Sequence, residues 1–535
     1  MKIIYILALI SLIFAALLSS GGLFSIIPQA IGLRQWFYIL VTIATFLILI
    51  FLHLIRKGKW GLYLFFFMYP FLAQSVYYLN IAAQFFILTP IFLFLILQLL
   101  LTKDRNVPLS LQLLFLFCIS TLVSVSIAQN KYNAFSFFVL GVGSFAVSAY
   151  LIYANLRTSK NAIIFIRGMI LSIIAGSALY LGIETLAFRL RPSDVINIIL
   201  RRWDQLPMGR FITGGYGEPA GLGFIYSLLF FVLAMLIQNK TIPRNRLMKW
   251  IERGALLFVA FVILIVGTRS ALINLIYIFA LLWFLQKFFS EKRLVRINAR
   301  YLVLLGIIVA LGAYLVIPRT IMTASSVKPP PWVEPVYIQI GSRQIRVIGS
   351  TADYVKHTRA SFHDFFTKPL GVGPLNATPI LDLRLGGFEA GYSYSWYTNL
   401  VVVGSTFGWL SLFLWLTFIA KVTRDLFRLR GRANRDVNFS MSLIFLAILM
   451  ASLLPGAPFL GPMLNWSNFD RFLPLSPQIT GLPFEYPSVI SGMMLGCLIG
   501  LIQTVRENRI AQAHVHDLDP TIQANAPIPL KPNPP

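Results

Sequence analysis

Lys356, Arg359 and His363 stand at i, i+3 and i+7, a spacing that places all three on one face of a helix. Ser350-Thr351-Ala352-Asp353 resembles a capping box and predicts a helix running to about Phe366, which Gly371-Val372-Gly373-Pro374 would end. Asp353 and His357 form a second pair nearby, at i and i+4. A basic face of this kind suits a lipid phosphate or diphosphate, because the guanidinium fork matches two phosphate oxygens at once. The plainer reading is an amphipathic helix resting on anionic lipid heads, and the spacing leaves both open.

Further candidates lie upstream. Arg201, Arg202 and Arg210 precede Phe211-Ile212-Thr213-Gly214-Gly215-Tyr216-Gly217-Glu218-Pro219, where an apolar run begins. Glu218 is unusual there, since a carboxylate at the edge of an apolar run is costly unless it is paired or faces water. Arg269 sits in Gly267-Thr268-Arg269-Ser270, a tight corner between two apolar runs. Glu218 and Arg269 can simply pair with each other, which is compatible with a site. As a set, the arginines would stabilise a departing diphosphate. A carboxylate or imidazole, Glu218 or His363, would take the proton from an attacking sugar hydroxyl. Trp396, Tyr397 and Tyr392 could stack on sugars, although aromatic residues also collect at membrane interfaces for their own reasons. No P-loop, dinucleotide glycine fingerprint or His-Glu-x-x-His is present, so no cofactor and no metal are expected.

These residues need a scaffold, and the composition says what kind. Of 535 residues, 57% are hydrophobic and 12% charged, where a soluble domain carries about a quarter charged. The charges fall between apolar runs of about 18–25 residues, long enough to cross a ~30 Å hydrocarbon core. In such a core the backbone must satisfy its own hydrogen bonds, which predicts an all-α integral membrane bundle. Fourteen apolar segments are legible, near 3–20, 36–55, 60–78, 81–101, 108–128, 133–156, 161–186, 211–237, 254–268, 270–287, 301–317, 396–420, 438–455 and 486–504. The first could be a cleaved signal peptide, but an uncleaved first span is the preferred reading. Cys118 and Cys497 each lie inside an apolar run and read as small hydrophobes.

Net charge is +26, which in a soluble protein would suggest nucleic acid. Here it reads as loop charge, and nucleic acid is not an expected partner. With the N-terminus inside, the inner segments hold 27 Lys/Arg and 8 Asp/Glu, against 17 and 11 outside. That bias predicts cytoplasmic N- and C-termini. The chain then divides into a transmembrane bundle over 1–317, a large outer loop over 318–395, further spans over 396–507 and a disordered tail over 508–535. The loop opens with Pro329-Pro330-Pro331. Val336–Ile340 and Gln344–Ile348, alternating around Gly341-Ser342, predict a small β-hairpin before the basic helix.

Four stretches together resemble the O-antigen polymerase/ligase family of bacterial membrane glycosyltransferases (Wzy-type polymerases and relatives). They are Gly214–Ala220, Gly267–Leu272, the run from Arg359 to Pro369-Leu370-Gly371-Val372-Gly373, and Trp396-Tyr397-Thr398-Asn399-Leu400 with Gly404 and Gly408. Their order matches over roughly residues 160–455. The resemblance implies metal-independent glycosyl transfer from an undecaprenyl-diphosphate-linked glycan on the outer face of the bacterial inner membrane. Arg269 and Arg359 would correspond to the family's arginines, and a chain-length regulator and a flippase would be partners. Ligases of the family place a His-containing pair eleven residues before the glycine near the start of the last motif. Here that position, counted from Gly408, is Tyr397. This favours a polymerase over a ligase acting on lipid A-core or protein. A transporter or flippase is the reading from a different class, but no inverted repeat supports it.

Overall fold

The computed structural model of the chain describes residues 58–77, 107–128, 131, 134, 138–157, 159, 161–187, 219–239, 242–266, 269–289, 303–314, 336–340, 343–347, 361–373, 399–430, 437–451, 453–454 and 487–518. The segments read near 3–20, 36–55 and 81–101 lie outside these residues, and each of the others contains a described helix. The elements are α1 (Gly58–Tyr77), α2 (Leu109–Ile127), a π-helical turn (Phe138–Gly143) leading into α3 (Ser144–Arg157), α4 (Ala162–Ala187), α5 (Pro219–Gln238), α6 (Arg246–Val266) and α7 (Arg269–Phe289). There follow α8 (Val303–Tyr314), β1 (Val336–Ile340), β2 (Arg343–Val347), α9 over 361–367, α10 (Asn399–Phe407), α11 (Trp409–Arg428), α12 (Val437–Ala451) and α13 (Pro487–Leu518). The described residues are thus almost wholly helical. Among the described residues four helices are long and apolar enough to cross a membrane, Leu109–Ile127, Ala162–Gly182, Ala271–Phe289 and Val489–Asn508.

The helices share one apolar core, in which Trp415, Tyr69, Tyr153, Tyr180 and Tyr226 are among the largest buried side chains. Lipid tails are as apolar as leucine, so helices in a membrane associate through close packing, and small residues mark the contacts. Gly492, Gly496 and Gly500 repeat every four residues along α13 and face α3. A Cβ at Gly496 would overlap the Ala149 carbonyl, and one at Gly492 the Phe145 carbonyl. Gly176 of α4 lies equally close to the Phe67 carbonyl of α1. Cys118 and Cys497 are buried and free, as small hydrophobes in this packing.

Polar contacts also join the helices. Lys59 Nζ donates to Ser159 Oγ at 3.0 Å, and Arg157 pairs with Glu507 at 2.9 Å. Arg167 lies 3.6 Å from Glu252 and donates to the Pro243 carbonyl at 3.2 Å. These contacts tie α1, α3, α4, α6 and α13 together near the ends of their helices. Gly373 packs on Ser124 and Ala128, at the close of α2.

Four boundaries differ from the sequence reading. The second strand is Arg343–Val347 rather than 344–348, because Ile340 pairs with Arg343. The helix read from 254 begins at Arg246, where Asn245 Oδ1 caps the Met248 N–H at 2.8 Å. Its polar first turns concealed it. The tail read as disordered from 508 is helical as far as Leu518, through good helix formers such as Ala511, Gln512 and Ala513. Finally, the single span read over 396–420 is two helices, α10 and α11, broken at Gly408.

Candidate functional site

The break at Gly408 is where the large loop joins the bundle. Gly408 has φ +89°, a conformation that glycine adopts readily and other residues resist. The two helix ends it creates expose carbonyls of α10 and an N–H of α11 that would otherwise lack partners. The stretch Pro369-Leu370-Gly371-Val372-Gly373 supplies them. Val372 N–H donates to the Ser405 carbonyl at 2.9 Å, and Gly373 N–H to the Thr406 carbonyl at 2.9 Å. In the opposite sense, Trp409 N–H donates to the Pro369 carbonyl at 2.8 Å. Gly371 and Gly373 also have positive φ, +81° and +84°. A Cβ on Gly371 would lie 2.5 Å from the Thr406 carbonyl oxygen, and one on Gly408 would lie 2.6 Å from the Leu370 carbonyl carbon. Only backbone without side chains fits between these strands of chain.

The short helix α9 leads into this clasp. Trp409 Nε1 donates to the Phe365 carbonyl at 2.8 Å, and the two rings lie 6.1 Å apart. The Phe365 ring rests directly on Gly404, leaving no room there for a Cβ. Ser361 and Asp364 are buried, while His363 next to Asp364 turns outward with its side chain 56% exposed. His363 Nδ1 is 3.3 Å from Asp364 Oδ1. A carboxylate at Nδ1 favours the tautomer with its proton there, which leaves Nε2 as the open proton acceptor. A carboxylate-oriented imidazole is an arrangement suited to general base work.

Of the residues singled out from sequence, His363 is described with its surroundings, and Arg269 is placed as the first residue of α7. Arg201, Arg202, Arg210, Glu218, Lys356, Arg359, Tyr392, Trp396 and Tyr397 lie outside the described residues, as do Asp353 and His357. Sequence reasoning passed over two participants, Asp364 and Trp409, and one buried carboxylate remote from the clasp, Glu252. Asp364 was readable beside His363. Trp409, directly after Gly408, was not singled out. Glu252 was counted only as a loop charge, but it is fully buried in α6, 3.1 Å from Arg244.

No protein-family model, curated protein or solved structure matches this chain.

Proposed function

We propose that the chain is a metal-independent membrane glycosyltransferase that polymerises lipid-linked polysaccharide repeat units, with fourteen spans, cytoplasmic termini and an outward-facing site. The acceptor sugar hydroxyl of one lipid-linked unit attacks the anomeric carbon of the growing glycan. The new C–O bond forms as the bond to the undecaprenyl diphosphate breaks, and the diphosphate leaves with its lipid. Arg269 and Arg359 stabilise the developing phosphate charge, guided by Arg201, Arg202, Arg210 and Lys356. The hydroxyl proton goes to His363 or Glu218. Trp396 and Tyr397 stack on the sugar.

One observation carries the reading. Two of the stretches that resemble the family, Pro369–Gly373 and Gly404–Gly408, are distant in sequence yet hydrogen-bonded to each other through backbone. Chance likenesses have no reason to select segments that fit together around three glycines. The clasp fixes the foot of the helix on which the basic face is read, as a site on a long loop requires.

The test is the glycan profile of a deletion strain complemented with variants. Loss of a polymerase leaves single repeat units, whereas loss of a ligase leaves polymer made but unattached. Arg359→Ala should abolish chain extension while the protein stays in the membrane. Normal polymer length in that variant would overturn the proposal.

A further inference from the structure

The first turns of α6 carry a second feature, remote from the clasp. Arg246, Trp250, Arg253, Leu257 and Phe261 follow one another along a single outward stripe at i, i+4, i+7, i+11 and i+15. Lys249 flanks it. The three cations are exposed, as are Trp250 (63%), Leu257 (62%) and Phe261 (48%). The Arg253 guanidinium lies over the Trp250 ring, 6.0 Å from its centre. The one acid of α6, Glu252, points the other way. It is fully buried and already shared by Arg244 at 3.1 Å and Arg167 at 3.6 Å. Among the described residues, no carboxylate pairs with Arg246, Lys249 or Arg253. Two cations thus hold the one carboxylate and three more stand exposed on the outward stripe, at the helix end where the peptide dipoles already favour negative charge.

We propose that this stripe binds the headgroup of an anionic phospholipid. Arg246, Lys249 and Arg253 hold the phosphate, Trp250 sits at the headgroup level, and the acyl chain lies along Leu257 and Phe261. Charge complementarity selects an anion, and the apolar residues running straight down from the cations select one that carries a hydrocarbon tail. The site depends on the bundle being in a membrane but not on the polymerase reading, because its readout is lipid binding rather than glycan length.

The experiment uses the full chain reconstituted in vesicles containing phosphatidylglycerol or phosphatidylcholine with brominated acyl chains. The difference between the wild type and Trp250→Phe isolates Trp250 among the ten tryptophans. Brominated phosphatidylglycerol should quench Trp250 at lower mole fraction than brominated phosphatidylcholine. Each cation removed should weaken that preference about fivefold, the equivalent of about 1 kcal/mol per Lys or Arg near a membrane surface. The R246Q/K249Q/R253Q variant should show no preference. Lys249→Gln alone, which leaves the helix undisturbed, should show the single fivefold step, and Arg253→Lys should keep the preference. Equal quenching by the two lipids, or an unchanged preference in K249Q and the triple variant, overturns the proposal. Displacement of the lipid by millimolar inorganic phosphate also overturns it, by showing a site for free phosphate.

Discussion

Trp409 holds the carbonyls of Phe365 and Pro369 with two different N–H groups, the indole and the backbone, each at 2.8 Å. One residue at the start of a bundle helix therefore fixes both the end of the loop helix and the turn that follows it. Trp409→Phe keeps the ring contact with Phe365 and removes only the indole donor, so it should cost about 1 kcal/mol of stability. Trp409→Ala removes the ring as well; because the ring is 47% exposed, it should cost about 2 kcal/mol, less than a fully buried aromatic would. Thermal unfolding of the purified protein in detergent checks both. Under the polymerase reading, polymer length should fall in the same order.

Gly408 tolerates no side chain. Gly408→Ala forces a Cβ against the Leu370 carbonyl carbon at a φ that costs about 1–3 kcal/mol for a non-glycine residue. The clasp should open, freeing the backbone so that chymotrypsin cleaves after the already exposed Phe366 and Leu370 at a higher rate than in the wild type. Unchanged cleavage would show that the break does not depend on glycine.

Much of this bundle was legible because one rule, that buried backbone must bond to itself, makes long apolar runs into helices. The described helices fall where those runs lie. What escaped was of two kinds. Apolarity does not mark a break inside an apolar run, so α10 and α11 read as one span although Gly404 and Gly408 stood in view. Nor does it mark a helix turn made of Arg246, Lys249 and Glu252, which looks like loop. The hairpin was visible from alternation, but its register was not, since Arg343 carries no apolar signal to count it as a strand residue. For the site, spacing could group Lys356, Arg359 and His363 on one face. It could not show that Pro369–Gly373 would fasten to Ser405 and Thr406, because backbone hydrogen bonds leave little trace in residue type beyond the glycines.

Helix packing supplies a controlled comparison between glycines. Gly496→Val places two methyl groups where α13 meets the Ala149 carbonyl, and should separate α13 from α3 at a cost of about 1–3 kcal/mol. Gly306→Ala on α8, where a Cβ meets nothing within 4 Å, should be neutral or stabilising by up to about 1 kcal/mol. Yield in the membrane fraction and thermal unfolding should separate the two.

His363 and Glu218 are rival bases. His363 is exposed, so His363→Gln should leave protein level and stability unchanged. If His363 takes the hydroxyl proton, chain extension should drop about 10²–10⁴-fold. Asp364→Asn, which takes away the carboxylate that orients the imidazole, should then reduce extension in the same direction by a smaller factor. Full extension in His363→Gln assigns the proton to Glu218.

The two paired carboxylates Glu252 and Glu507, remote from the clasp, should behave differently, and the reason is burial. Glu252 is fully buried between Arg244 and Arg167, whose side chains are only 7% and 12% exposed. Glu252→Gln keeps the shape but leaves two buried guanidinium groups without a counter-charge. Removing one partner of a buried pair costs about 3–5 kcal/mol. The lower end is expected here, because Arg244 still donates to the carbonyls of Ile237 and Asn239, and Arg167 to that of Pro243. Glu507, paired with Arg157 at 2.9 Å, is 39% exposed. Water can replace the arginine there, so Glu507→Gln should cost about 0–1 kcal/mol. Equal losses of thermal stability in the two variants would mean that Glu252 is solvated, and that the contact joining α4, α6 and the turn at Pro243 is not held by charge.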